Sequence, residues 1–165
     1  MQSAFPHLWW AIDGVLAGTP MPYVALDRRM NQGGLLGDYE DELPLLNQAG
    51  IKAFVCLLNL PGDAIVFESA GFEFLCTPVA NGCPPSKEQV KQIVAFIDEC
   101  RARKWPVAVF CEAGLGRTGT VIAAYLINSG MSACDAIRYV RSKEPSAVET
   151  SMQIEFLEEL KGPQL

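Results

Sequence analysis

The chain has 165 residues, half of them hydrophobic, and a net charge of −6 at pH 7. That length and apolar content suit one domain with a full core, expected across residues 1–165. The acidic balance argues against nucleic acid or an anionic membrane as partner, because both select basic surfaces. No run approaches the roughly 18 apolar residues of a span, and residues 1–6 lack a cationic start followed by an apolar stretch. A cytoplasmic monomer is therefore expected. The six cysteines (Cys56, Cys76, Cys83, Cys100, Cys111, Cys134) show no CxxC spacing and lie mostly in apolar surroundings. They read as reduced thiols, neither a disulfide framework nor a zinc site. His7, the single histidine, cannot build a metal cluster alone and reads as a surface residue. No cofactor is expected.

Residues 9–18 read as two short strands around a turn at Asp13-Gly14, and Thr19-Pro20-Met21-Pro22 then breaks the chain. Asn31-Gln32-Gly33-Gly34 reads as a turn. The acidic run at 38–42 opens a helix that continues through Leu46 to Gly50, with its carboxylates at the end the dipole favours. Pro44 fits only in a first turn, so that helix should begin close to Asp41. The charge run itself reads as a solvated helix start. Residues 51–58 and 72–79 read as buried strands, joined through a loop containing Pro61-Gly62-Asp63. Ser86 and Gln89 form a capping box for a helix with Val90, Ile93, Val94 and Ile97 on its apolar face. It ends in Arg101, Arg103 and Lys104, and Trp105-Pro106 leads into another strand. From Thr118 to Ser129 a helix is apolar all round, which marks it as the buried centre, and Gly130 stops it. Ser132 and Asp135 cap a helix with Ile137 and Val140 inward, closed by Pro145. Thr150 and Gln153 cap the last one, which carries Ile154, Leu157 and Leu160. The predicted class is α/β, a small central sheet flanked by helices on both faces.

The densest chemistry lies at Val107-Ala108-Val109-Phe110-Cys111-Glu112-Ala113-Gly114-Leu115-Gly116-Arg117-Thr118. A β-branched run ends in a cysteine, two glycines follow, and an arginine stands just before the helix. Strand, tight loop and helix N-terminus build an anion site, since glycines let successive N–H groups turn inward. The same field favours a thiolate at its mouth. Arg117 can fork two donors onto two oxygens of one phosphate. Other readings fit less well. Gly114-x-Gly116-x-x-Gly119 matches a dinucleotide fingerprint formally, but lies late in the chain with no second βαβ half behind it. A nucleotide P-loop would need Lys-Ser/Thr after its last glycine. A merely structural buried cysteine does not account for the arginine and the interposed glycines.

Cys111-x5-Arg117-Thr118 resembles the signature loop of the cysteine-dependent protein tyrosine phosphatases, and the chain looks like a small atypical dual-specificity phosphatase, with secondary matches from Trp9 to Gln153. The resemblance implies that Cys111 attacks phosphorus. It implies further that Arg117 and the N–H groups of Glu112, Ala113, Gly114, Leu115 and Gly116 hold the equatorial oxygens. Thr118 would donate its hydroxyl to the departing sulfur. Gln153 looks like the family residue that orients the hydrolytic water, while helix capping alone is an equally good reading. Leu16-Ala17-Gly18 with its proline is similar to the family's first strand and the loop beside its site, although plain apolar anchoring is the favoured reading. Cys83 stands near Asn81, where approach to Cys111 would make it a reversible redox partner; a half-buried loop cysteine is the simpler account.

Two positions depart from the family. Phe110 stands where the family has a histidine before the nucleophile. In the loop ahead of the crossover helix, Asn81 of Asn81-Gly82-Cys83-Pro84-Pro85-Ser86 falls where the family has an aspartic acid as general acid. An amide has no proton to give at neutral pH, and general acid help is worth roughly 10²–10⁴-fold. Asp63, Glu68 and Glu112 do not hold the family position. The expected function is hydrolysis of phosphotyrosine in proteins, and of aryl phosphates generally, with phosphoserine and phosphothreonine as further substrates. The competing reading is a phosphate-capturing pseudophosphatase, or a substrate-trapping variant with little turnover. A signature loop without lysine disfavours a polyanionic lipid head.

Overall fold

The computed structural model describes residues 7–22 and 42–160. Its centre is a five-stranded sheet of order β1-β2-β5-β3-β4, made of β1 (Trp9–Ile12), β2 (Leu16–Pro20), β3 (Ala53–Cys56), β4 (Glu73–Cys76) and β5 (Val107–Cys111). β1 runs antiparallel to β2, and the remaining three pairings are parallel. The first hairpin turns at Asp13-Gly14 as expected, with Gly14 at φ +68° and Val15 N–H donating to the Ile12 carbonyl at 2.9 Å.

Parallel neighbours cannot be joined by a tight turn. The link between β3 and β4, expected as a loop, is therefore a 3₁₀ turn at Pro61–Asp63 followed by the helix α2 (Ala64–Ser69). Phe67 is the buried anchor of this six-residue helix, too short a segment to display a helical period. β3 and β4 themselves are shorter than the expected 51–58 and 72–79. Sheet-like bonds nonetheless continue beyond them, from Leu57 N–H to the Phe110 carbonyl and from Val79 N–H to the Leu57 carbonyl, both 2.9 Å. The preceding helix, α1 (Leu43–Gln48), carries Pro44 in its first turn. The expected turn at 31–34 and the acidic run at 38–41 lie outside the described residues.

Side chains alternate across the central strands. Ala53, Val55, Val107, Val109 and Cys111 face one core, against α3 (Lys87–Ala102), α4 (Gly116–Asn128), α5 (Ala133–Lys143) and α6 (Ser151–Glu159). Phe54, Cys56, Ala108 and Phe110 face the other, with Leu46 and Phe67. Helices thus cover both faces, as predicted. Residues 116–127 of α4 are all buried, so its all-round apolar character did mark the centre; it starts two residues before the expected Thr118. On α5 it is Ala136 and Val140 that are buried, while Ile137 is half-buried. Leu160 lies just past the end of α6. The capping boxes at Ser86–Gln89 and Thr150–Gln153 form reciprocally, and Ser132 accepts from Asp135 N–H.

Candidate active site

β5 carries Cys111 to the C-terminal edge of the sheet, and α4 begins five residues later at Gly116. The intervening loop is pressed against β2. Gly114 has φ +72°, and a methyl group there would lie 2.4 Å from the Pro20 nitrogen and from the Thr19 carbonyl carbon. Trp9 Nε1–H donates to the Gly114 carbonyl at 3.1 Å, and Met21 N–H donates to that of Glu112 at 3.2 Å. At the head of the loop Cys111 is buried, and Thr118 Oγ1–H donates to its sulfur at 3.1 Å. Arg117, only 7% exposed, donates through Nη1 to the Val79 carbonyl at 3.0 Å. Gly116 is buried, Leu115 half-buried, and Glu112 and Ala113 are exposed. The cysteine, the arginine, the threonine and the loop positions 112–116 picked from sequence therefore come together at one helix N-terminus, where a dianion finds N–H groups and the positive end of a dipole.

The Arg117 bond also draws in the loop holding Asn81. Thr150 Oγ1–H donates to the Gly82 carbonyl at 2.7 Å, and Gln89 Nε2–H donates to the Pro78 carbonyl at 2.7 Å. Asn81 is exposed beside these anchors, and Gly82 has φ +77°. Gln153 is wholly buried and performs its capping role through Oε1, which accepts from Glu149 N–H at 2.8 Å and Thr150 N–H at 3.0 Å. Those two donors fix the orientation of the amide. They leave Nε2 buried without a hydrogen-bond partner among the described residues, so the capping and water-orienting readings do not compete for the same atom. Cys83 is half-buried.

Phe110 has moved wholly into the aromatic core: it stacks on Phe67 at 5.8 Å between centroids and meets Phe54 edge-on at 6.0 Å. Burial pushes the thiol of Cys56, opposite Phe110 in the sheet, upward. Among the described residues no three His, Cys, Asp or Glu side chains converge as a metal site would require, and no helix is long and apolar enough to cross a membrane. Sequence reasoning missed three contributors: Trp9 as a donor to the loop, Val148 with its φ of +60°, and Glu149, whose carboxylate lies over Gly116. The proximity of Glu149 to the capping residue Thr150 was the one available signal for the last.

Residues 30–131 match the family model described as "Polymorphic toxin system, DSP-PTPase phosphatase". Human protein tyrosine phosphatase type IVA 3 is 32% identical over 121 residues, covering 72% of this chain and 69% of that protein. The dual-specificity protein phosphatase CDC14C of Symphalangus syndactylus is 36% identical over 115 residues, but the chain spans only 23% of its length. A crystal structure of Tk-PTP in the active form superposes with a TM-score of 0.79 at 34% identity, covering 95% of this chain and 97% of that one. With more than half of its length matched by the family model, the chain belongs to the dual-specificity and protein tyrosine phosphatase family.

Proposed function

We propose that the chain is a single catalytic domain that hydrolyses phosphotyrosine in proteins, and aryl phosphates generally, through a phosphocysteine on Cys111. The observation that carries this reading is the 3.1 Å bond from Thr118 Oγ1–H to the Cys111 sulfur, beside a buried Arg117. A hydroxyl donating to sulfur stabilises the thiolate as it attacks and again as it leaves. In the first step sulfur bonds to phosphorus and the ester oxygen departs; in the second, water displaces the sulfur. Arg117 and the loop N–H groups hold oxygens whose charge grows in the transition state. Gln153 Nε2 is suited to orient the water of the second step. The acidic chain, its thiols and the absence of a spanning helix among the described residues support a cytoplasmic place.

Rapid quench of an aryl phosphate reaction tests the proposal. A burst of phenol matched by acid-stable phosphate on the protein, both absent in Cys111→Ser, is the expected result. Vanadate or phosphate binding with neither product nor adduct would instead make the chain a capture module.

A further inference from the structure

Two thiols that the phosphatase reaction does not use stand side by side in the sheet. Cys56 ends β3 and Cys76 ends β4, and the parallel register sets them directly opposite one another. Opposite residues of such a pair point to the same face, and both side chains face the core built around Phe54 and Phe67. Their S–H groups donate to one acceptor, the Leu58 carbonyl, Cys76 at 3.3 Å and Cys56 at 3.5 Å. We propose that Cys56 and Cys76 are a reversible redox pair, closing to a disulfide that clamps the base of the Asn81 loop. The pair is separate from the nucleophile and does not depend on turnover at Cys111.

Geometry favours the bond. Neighbouring strands lie about 4.8 Å apart, inside the window of roughly 4.4–6.8 Å between Cα atoms that a disulfide spans without moving the backbone. The shared acceptor does not suffer either. The Leu58 carbonyl has two lone pairs, yet three donors converge on it, because Leu60 N–H also reaches it at 2.9 Å. Oxidation removes the two weak S–H donors and leaves the amide bond in place, so no buried carbonyl is orphaned. The other cysteines are engaged elsewhere. Cys111 lies in the opposite core, on the far face of the sheet from Cys56, and takes the Thr118 hydroxyl. Cys100 lies 3.9 Å from a nitrogen of Arg103, and Cys134 lies 3.7 Å from one of Arg138. Beyond the pair, Thr77 N–H donates to the Cys56 carbonyl and Val79 N–H to that of Leu57, both at 2.9 Å, while the Val79 carbonyl holds Arg117 at 3.0 Å. A covalent bond between 56 and 76 fastens this ladder where it leaves the sheet.

The exposure of the two thiols sets the order of events. Cys76 is half-buried and meets a small disulfide first, whereas Cys56 is wholly enclosed and burial pushes its thiol upward. The oxidant is a low-molecular-weight disulfide such as oxidised glutathione. Cys76 attacks one of its sulfurs, a mixed disulfide forms, and one glutathione leaves as a thiol with the Cys76 proton. Cys56 then attacks the Cys76 sulfur, the bond to glutathione breaks, and the second glutathione leaves with the Cys56 proton. Two protein thiols are oxidised and one disulfide is reduced to two thiols. Excess reduced glutathione reverses both steps.

The test is incubation of the full chain in glutathione buffers of rising oxidised fraction, followed by alkylation of the remaining thiols and digestion after glutamate. Glu68 and Glu73 lie between the two cysteines, so cleavage there puts them on separate peptides, and cleavage after Glu99 places Cys111 on a third. The expected product is a peptide pair joined through Cys56 and Cys76, both thiols being lost together. It should form equally in Cys111→Ser and in Cys83→Ser, the latter removing the second cysteine of the Cys76 peptide, and reduced glutathione should reverse it. Cys56→Ala should stop at a glutathione adduct on Cys76, and the milder Cys76→Ser should leave Cys56 free, with melting curves showing each variant folded. Amide exchange at residues 77–79 should slow in the joined form; unchanged exchange there would overturn the clamp. Cys56 and Cys76 still free in buffers where the exposed Cys134 already carries glutathione would overturn the redox pair, as would a link from Cys56 to Cys111 or Cys83 instead.

Discussion

A side chain at position 114 has nowhere to go. Backbone with φ +72° already favours glycine, and the nearest atoms to an added methyl belong to the backbone of Thr19 and Pro20, which cannot swing aside. Gly114→Ala should therefore push the loop off β2 and break the bond from Trp9 Nε1–H. A displacement of about 1 Å in positioned groups costs on the order of 10²-fold in rate, so kcat/KM for an aryl phosphate should fall by at least that factor. Thermal melting alongside separates a misplaced loop from an unfolded protein; full activity in the variant would show that the loop keeps its shape without glycine. Gly14 has a similar φ but no atom within 4 Å of an added methyl, so the same change there carries strain without collision. The neighbouring residue tells the opposite story. Phe110, where the family resemblance implies a histidine, is a ring wholly inside an aromatic cluster, and the loop is braced by Trp9, Met21 and Gly114 instead.

At the scale of elements, α6 does more than cover the sheet. Its N-cap Thr150 accepts from Gln153 N–H at 3.2 Å and donates to the Gly82 carbonyl at 2.7 Å, so a single hydroxyl starts the helix and ties down the Asn81 loop. Thr150→Ala removes both, and loss of an N-cap alone costs about 0.5–2 kcal/mol. The expected outcome is a drop of that size in denaturant unfolding, with faster amide exchange at residues 80–83, and near-complete recovery in Thr150→Ser. Exchange at 80–83 that stays unchanged in the alanine variant would show that Arg117 and Gln89 suffice to hold the loop. This helix start was legible in the sequence, as were the Ser86 box and the Cys111–Arg117 loop, because each is written within a few consecutive residues. The short helix α2 was not, since six residues give no period. Nor was the reach of Trp9 to a carbonyl 105 residues away, or the delivery of Glu149 by a buried Val148 at positive φ. Those features follow from packing across the fold.

Across the whole molecule, the far edge of the sheet is fastened to the helical layer by charge. Arg103, just past α3, meets Glu73 at the start of β4 through two parallel bonds of 2.6 and 2.9 Å, and its guanidinium lies 4.3 Å over the Trp105 ring. The donors of Arg103 hold the Glu73 carboxyl below its ordinary value. The folded chain therefore keeps this carboxylate ionised at a pH where the unfolded chain has protonated it. The resulting stability is fully present above the ordinary carboxylate range and is lost as pH falls through the lowered folded value. Glu73→Gln should accordingly melt below the wild type at pH 7, with the gap closing as pH drops below about 4. The gap should also narrow in 1 M salt, because both side chains are partly exposed and their attraction is screened. Equal melting temperatures at pH 7 would mean that the Arg103–Trp105 contact and the parallel β3–β4 ladder hold this edge alone. Activity on a small aryl phosphate should not change in either case, because the pair lies on β4 at the rim of the sheet, beyond β3 from the strand that carries Cys111.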